Sequence, residues 1–507
     1  MNLLSYKHIA GAAAMAVGCL TVLTLGSGCT KDLAFNPYGD LSSVVNSKQG
    51  AVALVNAAYT GLAGGGDYNG GWDAGTYSYR TQAMMTTDEG VCAWGGDWAN
   101  MRSLNFTPDF DWVTHNFTKY TPYISTITVD LAKIQALNPD GKDSLLNRYV
   151  GELKGLRAEY AEQLYFYYGP FTIKTDAEDA ANPDAPYVPR PDRQEVVAQI
   201  EKDYKEAAAI LPNRFTGQEY GRFSKAAALT GLMKLYMHEK DWEKAVAVGQ
   251  QLKTLGYTLS ENYEDNFNIN NKGGANPEII LAVVCSPTGG DSYSNYWLAM
   301  SLPPDYQDPS GIPLTAWGGY KMPWKTYDKF DPADKRLKVL LEKYPVGKDA
   351  NGNILYKDAR AAGDPGAVPM KFGPDPSRAN SQNSGIDFPV FRYADVLLML
   401  AESINEAEGA PDAEAYNAIN QVRERAGLAP LANLNHDSFL KAIQDERLFE
   451  LWGEGWRRDD LIRWGLYLKR ATDDGSTHSD ASKLLMPLPR SVIAQSGGVI
   501  KQNPDYK

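Results

Sequence analysis

The amino-acid sequence predicts a mainly α-helical protein in which paired helices alternate with long aromatic loops. Two observations support this prediction. Apolar residues recur at helical spacing in several separate blocks, and two long segments between them are rich in glycine, proline, asparagine and aromatic residues. The 507-residue chain is 43% hydrophobic, which is enough for a substantial core in one large domain or two closely packed ones.

The chain begins with the pattern of a secretory signal peptide, predicted over residues 1–28. Lys7 precedes an apolar run that is too short to span a bilayer and that ends in small residues directly before Cys29. This arrangement resembles the lipobox of bacterial lipoproteins, in which the cysteine is lipidated. Cys19 is a second candidate, and ordinary secretion with an unmodified Cys29 is the alternative. Residues 29–48 are predicted to be the lipid anchor and a polar tether.

Each helix is predicted from its apolar stripe and its end signals. In residues 51–62, Val52, Val55, Tyr59 and Leu62 recur three and four residues apart. Residues 145–168 are followed by Gly169 and Pro170, which mark a helix end. The predicted helices span residues 51–62, 145–168, 194–211, 224–238, 242–255, 393–408, 412–426 and, as one or two helices, 439–468.

Short links join several of these helices into pairs, which form predicted helical hairpins over about 192–255 and 391–427. Tyr236 and Ala245 stand nine residues apart, as the large and small residues of tetratricopeptide repeats do. The pairs are therefore predicted to be tetratricopeptide-like, and a plain helical hairpin without repeat character is the alternative. The whole region 49–507 is predicted to form a single domain.

The charge and the cysteines exclude some classes of protein. The net charge of −12 argues against a nucleic-acid-binding protein, because such proteins usually carry a basic face. Besides Cys29, the predicted mature chain holds only Cys92 and Cys285, which we expect to be buried free thiols; a disulfide between them is the alternative. Stability must then come from packing rather than from disulfides.

The sequence contains no recognisable catalytic or metal-binding constellation. Arg447, Glu450, Glu454, Arg457 and Asp460 share one face if a single helix runs through them, and the arginines favour a structural ionic cluster over a catalytic carboxylate pair. Three further groups lack catalytic or ligand spacing, so no metal and no cofactor are predicted: Asp88 with Glu89, Asp109 with Asp111, and the histidines 115, 238, 436 and 478.

The C-terminal third carries motifs that resemble those of the SusD/RagB family. These motifs are FRYADVLLMLAE at 391–402, DERLFELWGEG at 445–455, MPLP at 486–489 and QNPDY at 502–506. Near the front, residues 151–170 resemble the family's arginine-and-tyrosine helix, which ends in Tyr-Gly-Pro. The motifs occur in the family's order along nearly the whole predicted mature chain.

The resemblance implies a lipoprotein of the outer membrane that faces the cell exterior and captures nutrients without enzymatic activity. Family members hand oligosaccharides, or in some cases peptides, to a TonB-dependent transporter of the SusC type. The resemblance also implies a SusD-like fold, in which tetratricopeptide-like helical pairs pack against a loop-rich binding half.

Aromatic residues in segments 64–117 and 286–388 support glycan binding, because these two long segments hold seven of the eleven tryptophans. Indole faces suit the apolar faces of sugars, and amides, carboxylates and arginines suit their hydroxyl groups. The alternative is that the rings only pin the loops onto the helices. The candidate ligand-binding residues are Asp67, Tyr68, Trp72, Arg80, Trp94, Trp98, Asn100, Arg102, Tyr296, Trp297, Trp317 and Trp324.

Four functional hypotheses follow from these observations. The leading one is a surface glycan-binding protein without catalysis, and Trp94 and Trp98 are its strongest platform candidates because the glycines between them leave a ring uncovered. A peptide-capturing relative is the second hypothesis. A surface glycosidase and a helical scaffold without a small ligand are the third and fourth.

Overall fold

Helices form most of the regular structure in the computed structural model, which describes residues 47–63, 71–287, 293–378 and 382–506. The α-helices are α1 Lys48–Tyr59, α2 Tyr79–Met85, α3 Asp97–Arg102, α4 Asp111–Ala136, α5 Ser144–Tyr168, α6 Ala177–Ala181, α7 Arg193–Ile210, α8 Lys225–His238, α9 Trp242–Lys253, α10 Trp297–Ser301, α11 Trp324–Tyr327, α12 Tyr393–Glu408, α13 Ala413–Arg425, α14 His436–Leu451, α15 Arg457–Arg463, α16 Tyr467–Asp473 and α17 Arg490–Gln495. The strands are β1 Val91–Cys92, β2 Ile279–Val283, β3 Tyr320–Pro323, β4 Leu340–Leu341, β5 Lys343–Lys348, β6 Ile354–Asp358, β7 Gly366–Pro369 and β8 Phe388–Arg392.

The long helices pack around α5, most of which is buried. α5 contacts α1, α4 and α7, while α8 packs against α9, α9 against α12, and α12 against α13. The predicted helical pairs are therefore present, and the prediction of a mainly α-helical protein with a loop-rich half is confirmed.

Small antiparallel sheets organise the loop-rich half. One sheet has the strand order β1-β3-β7-β4, and two strand pairs are formed by β2 with β8 and by β5 with β6. β8 continues directly into α12, so it fixes the loop-rich half to the helices.

The predicted helix boundaries agree best where a cap marks the helix end. α5 begins after Asp143, whose carboxylate accepts hydrogen bonds from the N–H groups of Leu145 and Leu146, and ends at Gly169, which has a φ of 74°. α12 has the predicted bounds and ends at Gly409, with a φ of 72°. These caps are local in the chain, so the sequence reveals them.

The helix α4 contradicts the prediction that segment 64–117 is irregular throughout. The segment also contains α2 and α3. Pro122 and many β-branched residues in α4 obscure the helix, because both have low helix propensity. Its buried residues nevertheless recur three and four apart, and this pattern could have identified it: Val113, Phe117, Tyr120, Ile124, Ile127, Leu131 and Ile134.

Two helices rather than one run through Arg447 to Asp460, so these residues do not share a single helix face. α14 ends at Leu451 and α15 begins at Arg457, and the turn between them uses Gly453 and Gly455, with φ values of 69° and 100°. These left-handed conformations favour glycine over any other residue. The break reorients the chain so that the charges meet through tertiary contacts.

We expect Gly455→Ala to lower the free energy of unfolding by about 2–4 kcal/mol, because it adds overpacking to an unfavourable φ. A Cβ at Gly455 would lie 2.7 Å from the Trp72 ring and 3.1 Å from the Arg80 Cα. Urea denaturation measures the change. Gly465→Ala is the matched control, because its φ of 69° is also positive but no atom lies within 4 Å of the added Cβ. Equal losses in the two variants would contradict the steric argument.

Glu450 and Glu454 are ion-paired in the core, as predicted, but their shared partner is Arg392. The predicted partners Arg447 and Arg457 pair instead with Asp395 and Asp460, and with Asp88, respectively. The guanidinium of Arg392 forms two hydrogen bonds with Glu454, at 2.8 and 2.6 Å, and also pairs with Glu450 and Glu278 at 2.9 and 2.5 Å. Burial alone would raise the pKa of Glu454, but Arg392 and Lys371 hold it below its usual range. This carboxylate is therefore ionised, unlike the acid of a glycosidase.

The structure bears on the prediction for the cysteines but not on those for the leader and the lipid anchor. Cys92 and Cys285 are buried free thiols, as predicted. Residues 1–28 and Cys29 lie outside the described residues, so the leader and the lipid anchor stay predictions. Among the helices described, none combines the length and the apolar character needed to cross a bilayer.

Candidate functional site

Two short antiparallel strands bring the two predicted ligand-binding segments together. β1 from the first segment pairs with β3 from the second, so that Cys92 lies opposite Tyr320. One residue further along, the Ala93 N–H donates a hydrogen bond to the Gly319 carbonyl at 2.8 Å. Trp94 is the next residue, and this pairing places it at the surface.

The indole of Trp94 is held firmly on one side and exposed on the other. Its Nε1–H donates to the Trp317 carbonyl at 2.9 Å, and the ring lies so close to Gly319 that a Cβ there would be 2.6 Å away. The rings of Trp98 and Tyr320 support it at centroid distances of 5.8 and 6.2 Å. The side chain is nevertheless 44% exposed, which leaves apolar surface for a ligand.

Trp317 provides a second exposed indole beside the first. It is 37% exposed, and its backbone N–H donates to the Ala299 carbonyl at 2.7 Å, which fixes its position. No atom lies within 4 Å of the position that a Cβ would take at Gly95 or Gly96. The approach to Trp94 over these glycines is therefore open.

The helix α3 carries polar groups next to the indoles. The Asn100 amide donates to the Asp97 carboxylate at 3.1 Å and accepts a hydrogen bond from the Asn105 amide at 3.2 Å. Asp97 and Asn105 are exposed, and their oxygens and amide hydrogens can bond further partners such as hydroxyl groups.

Five of the predicted ligand-binding residues lie in the core rather than at the surface. These side chains join the loop-rich half to the helices. The ring centroids of Trp297 and Trp452, for example, are 6.0 Å apart. Fully packed side chains offer no surface to a ligand, so we remove all five from the candidate site. They are Trp72, Arg80, Trp98, Tyr296 and Trp297.

Arg80 illustrates why the sequence suggested ligand contacts that the fold excludes. Its guanidinium donates to the carbonyls of Trp72 at 3.2 Å, Gly453 at 2.8 Å and Pro389 at 2.9 Å. Burial lowers its pKa to about 10. Arg80 therefore satisfies backbone carbonyls from three distant segments.

Two further candidates are engaged in contacts away from the exposed indoles. The Arg102 guanidinium donates to the Gly90 carbonyl at 2.6 Å and to Asp474 at 2.9 Å. The indole Nε1–H of the half-buried Trp324 donates to the Asp364 carbonyl at 2.7 Å, and the Arg360 guanidinium lies over the indole ring. Asp67 and Tyr68 lie outside the described residues.

The adjacent carboxylates Asp88 and Glu89 point into different environments. Burial alone would raise the pKa of Asp88, but Arg457 and Lys329 hold it well below its usual range. Burial raises the pKa of Glu89 to about 8. The two groups therefore do not act on one bond. In the part of the chain described here, no three or more His, Cys, Asp or Glu residues are grouped so that they could hold a metal ion.

We expect Glu89→Gln to flatten the dependence of stability on pH. The folded pKa of about 8 exceeds the usual value of about 4.3, so the native state keeps its proton longer than the unfolded state does. The unfolding free energy of the unmodified protein therefore falls as pH rises between these values. Glutamine cannot ionise, so the variant should melt at a higher temperature than the unmodified protein at pH ~9 and at a similar one at pH ~5.

Calorimetry at several pH values measures this effect. Glu178→Gln, which changes an exposed carboxylate, is the control and should leave the pH profile unchanged. Parallel profiles for Glu89→Gln and the unmodified protein would show that Glu89 is already ionised in the folded state.

The architecture, a helical scaffold with a loop-rich half, is that of the SusD-like proteins. The solved structure of a laminarin-binding SusD-like protein superposes with a TM-score of 0.71 at 25% sequence identity. The match covers 91% of this chain and 100% of that chain.

The sequence comparisons agree with this class. Residues 252–506 match the profile of the SusD family, and residues 48–237 match a profile described as starch-binding associating with outer membrane. The chain therefore belongs to the SusD family, as its motifs predict. A SusD-like protein of Formosa agariphila is 28% identical over 66% of this chain and 68% of its own length. The starch-binding protein SusD of Bacteroides thetaiotaomicron is 22% identical over 88% of this chain and 89% of its own length.

Proposed function

We propose that this protein binds oligo- or polysaccharide by stacking sugar rings on Trp94 and Trp317. The observation that carries the proposal is the fixed, exposed pair of indoles where the two loop segments meet. The exposed Asp97 and Asn105, which both bond Asn100, supply hydrogen-bonding groups for hydroxyls. Relatives whose names record binding to starch and to laminarin support the same ligand class.

The wider role is capture and delivery at the cell surface without catalysis. Cys29 carries the lipid anchor on the outer face of the outer membrane, and the bound glycan passes to a TonB-dependent transporter of the SusC type. The match of residues 48–237 to a family described by its association with the outer membrane supports this location. Replacing Cys29 with serine should release the protein from membranes in a fractionation experiment.

The affinity for short glycans should be modest. Stacking that buries roughly 100 Å² of apolar surface contributes about 2.5 kcal/mol before the costs of binding. Dissociation constants in the micromolar to millimolar range follow for short ligands, and longer chains that touch both rings should bind more tightly. Modest affinity suits a protein that must release its ligand to a transporter.

Calorimetric titration of the mature protein tests the proposal. The probes are oligosaccharides from starch and laminarin, acidic and sulfated oligosaccharides, and peptides of similar length. Saturable binding of at least one glycan is expected, with no turnover of it. Binding of peptides alone would favour the peptide-capturing class instead, and hydrolysis of a glycan by the pure protein would establish an enzyme.

A further inference from the structure

A basic cavity lies at the other end of the strands that carry the exposed indoles. Its volume is about 250 Å³, and its walls come from Asp88, the end of α3, the start of α11, and α14 to α16. Pro323 at the end of β3 lines the cavity, whereas Tyr320 at the start of β3 contacts Trp94. At ~3.3 Å per residue, β3 separates the cavity from the indoles by roughly 10 Å.

The cavity has an excess of positive charge on a protein that is acidic as a whole. Seven lysine and arginine residues and four aspartates line it, which leaves three positive charges, whereas the whole chain carries −12. The acids are shared between several cations. Asp474, for example, pairs with Arg102 at 2.9 Å and with Lys325 at 3.1 Å.

One buried arginine of the cavity lacks an acceptor for part of its guanidinium. Arg470 is buried, and its guanidinium donates to the Thr86 carbonyl and to Asp474 at 3.4 Å. Its Nε–H has no acceptor among the described residues. A buried guanidinium that lacks part of its hydrogen bonds is costly, so additional negative charge nearby is favourable.

The ionisation of neighbouring groups reports the same positive potential. Burial alone would raise the pKa of Asp88 in the cavity wall, but Arg457, Lys329 and Arg470 hold it well below its usual range. Lys325 and Lys469 reach the cavity from exposed positions, with 66% and 67% of their side chains accessible. Their ammonium groups can therefore reorient toward an incoming anion.

We propose that this cavity binds a negatively charged substituent, either a carboxylate or a sulfate ester, of the glycan held on Trp94 and Trp317. The proposal rests on the proposed function for its ligand, and on the cavity alone for its charge preference. Lysine and arginine bind such oxyanions through short, charge-assisted hydrogen bonds. Because β3 runs from Tyr320, which contacts Trp94, to Pro323 in the cavity wall, an oligosaccharide of several sugar units is long enough to span both.

The double variant Lys325→Gln with Lys469→Gln tests the proposal, with Lys142→Gln and Lys205→Gln as the control. All four lysines are exposed, so both variants should fold. The probes are a neutral laminarin hexasaccharide, a galacturonate hexasaccharide and a sulfated galactan hexasaccharide. We expect at least one charged probe to bind more tightly than the neutral one and to lose at least fivefold in affinity only in the cavity variant.

The neutral probe should bind both variants equally, and the preference for charge should shrink as salt is raised from ~50 to ~200 mM. The galacturonate and sulfated probes distinguish a carboxylate from a sulfate ester. Charged probes that bind no better than the neutral one, or that bind the cavity variant unchanged, would overturn the proposal.

A second measurement separates this proposal from the proposed function. Crystals soaked in selenate locate an oxyanion by anomalous scattering without any glycan. A peak in the cavity of the unmodified protein, absent from the cavity variant, supports the site even if no glycan binds. A cavity without a peak overturns it even if neutral glycans bind at the indoles.

Discussion

Trp94→Ala is expected to weaken glycan binding about tenfold to a hundredfold. The change removes the exposed indole face and the hydrogen bond from Nε1 to the Trp317 carbonyl, so the second platform also loses a support. Loss of roughly 100 Å² of apolar contact is worth about 2.5 kcal/mol, and each 1.4 kcal/mol corresponds to a factor of ten in affinity. Titration calorimetry with the best glycan of the panel measures the change.

Two further variants make this experiment specific. Tyr356→Ala removes an aromatic ring that is 59% exposed on the β5–β6 hairpin and should leave glycan affinity unchanged. Trp94→Phe keeps a ring without the Nε1–H donor and should retain part of the affinity. If Trp94→Ala binds glycan as well as the unmodified protein does, the assignment of the site is wrong.

Arg392→Met should destabilise the fold more than any other change considered, by at least about 3 kcal/mol. Its guanidinium compensates three buried carboxylates, those of Glu278, Glu450 and Glu454. Removing it leaves these negative charges buried together, and methionine offers no donor to any of them. Because Arg392 joins β8 to α12, the loss should loosen the connection between the loop-rich half and the helices.

Urea denaturation followed by circular dichroism measures this loss. Arg490→Ala is the control, because its ion pair with Asp109 lies at the surface, where solvent screens it, and should contribute little to stability. A variant Arg392→Met that unfolds at the same urea concentration as the unmodified protein would show that the cluster does not stabilise the fold.

The helical pairs could be predicted because their signals are local. The stripe of α5, its Asp143 cap and its terminal Gly169 all lie within one short stretch of chain. α12 was predicted with its observed bounds for the same reason. Where a local signal was ambiguous, as at Pro122 in α4, the prediction failed although the apolar spacing was present.

The binding surface was only partly predictable. Of the candidate residues, Trp94 and Trp317 come from different loop segments and are both exposed where the segments meet. The candidates Trp98 and Trp297 lie in the same two aromatic segments, yet the fold buries both. The basic cavity was not predicted at all, because Asp88, Lys325 and Asp474 are far apart in sequence and share no motif.

The sequence by itself determined the family, the mainly helical fold and most helix positions, because motifs, periodicity and caps are properties of short, contiguous stretches. Only the tertiary structure decided which aromatic rings face solvent and which charges meet. The exposure of Trp94 depends on Trp317 and Gly319, more than 200 residues away, and Trp297 is covered by Trp452 from a distant helix end. Solvent exposure is a property of the packed chain, and no local pattern specifies it.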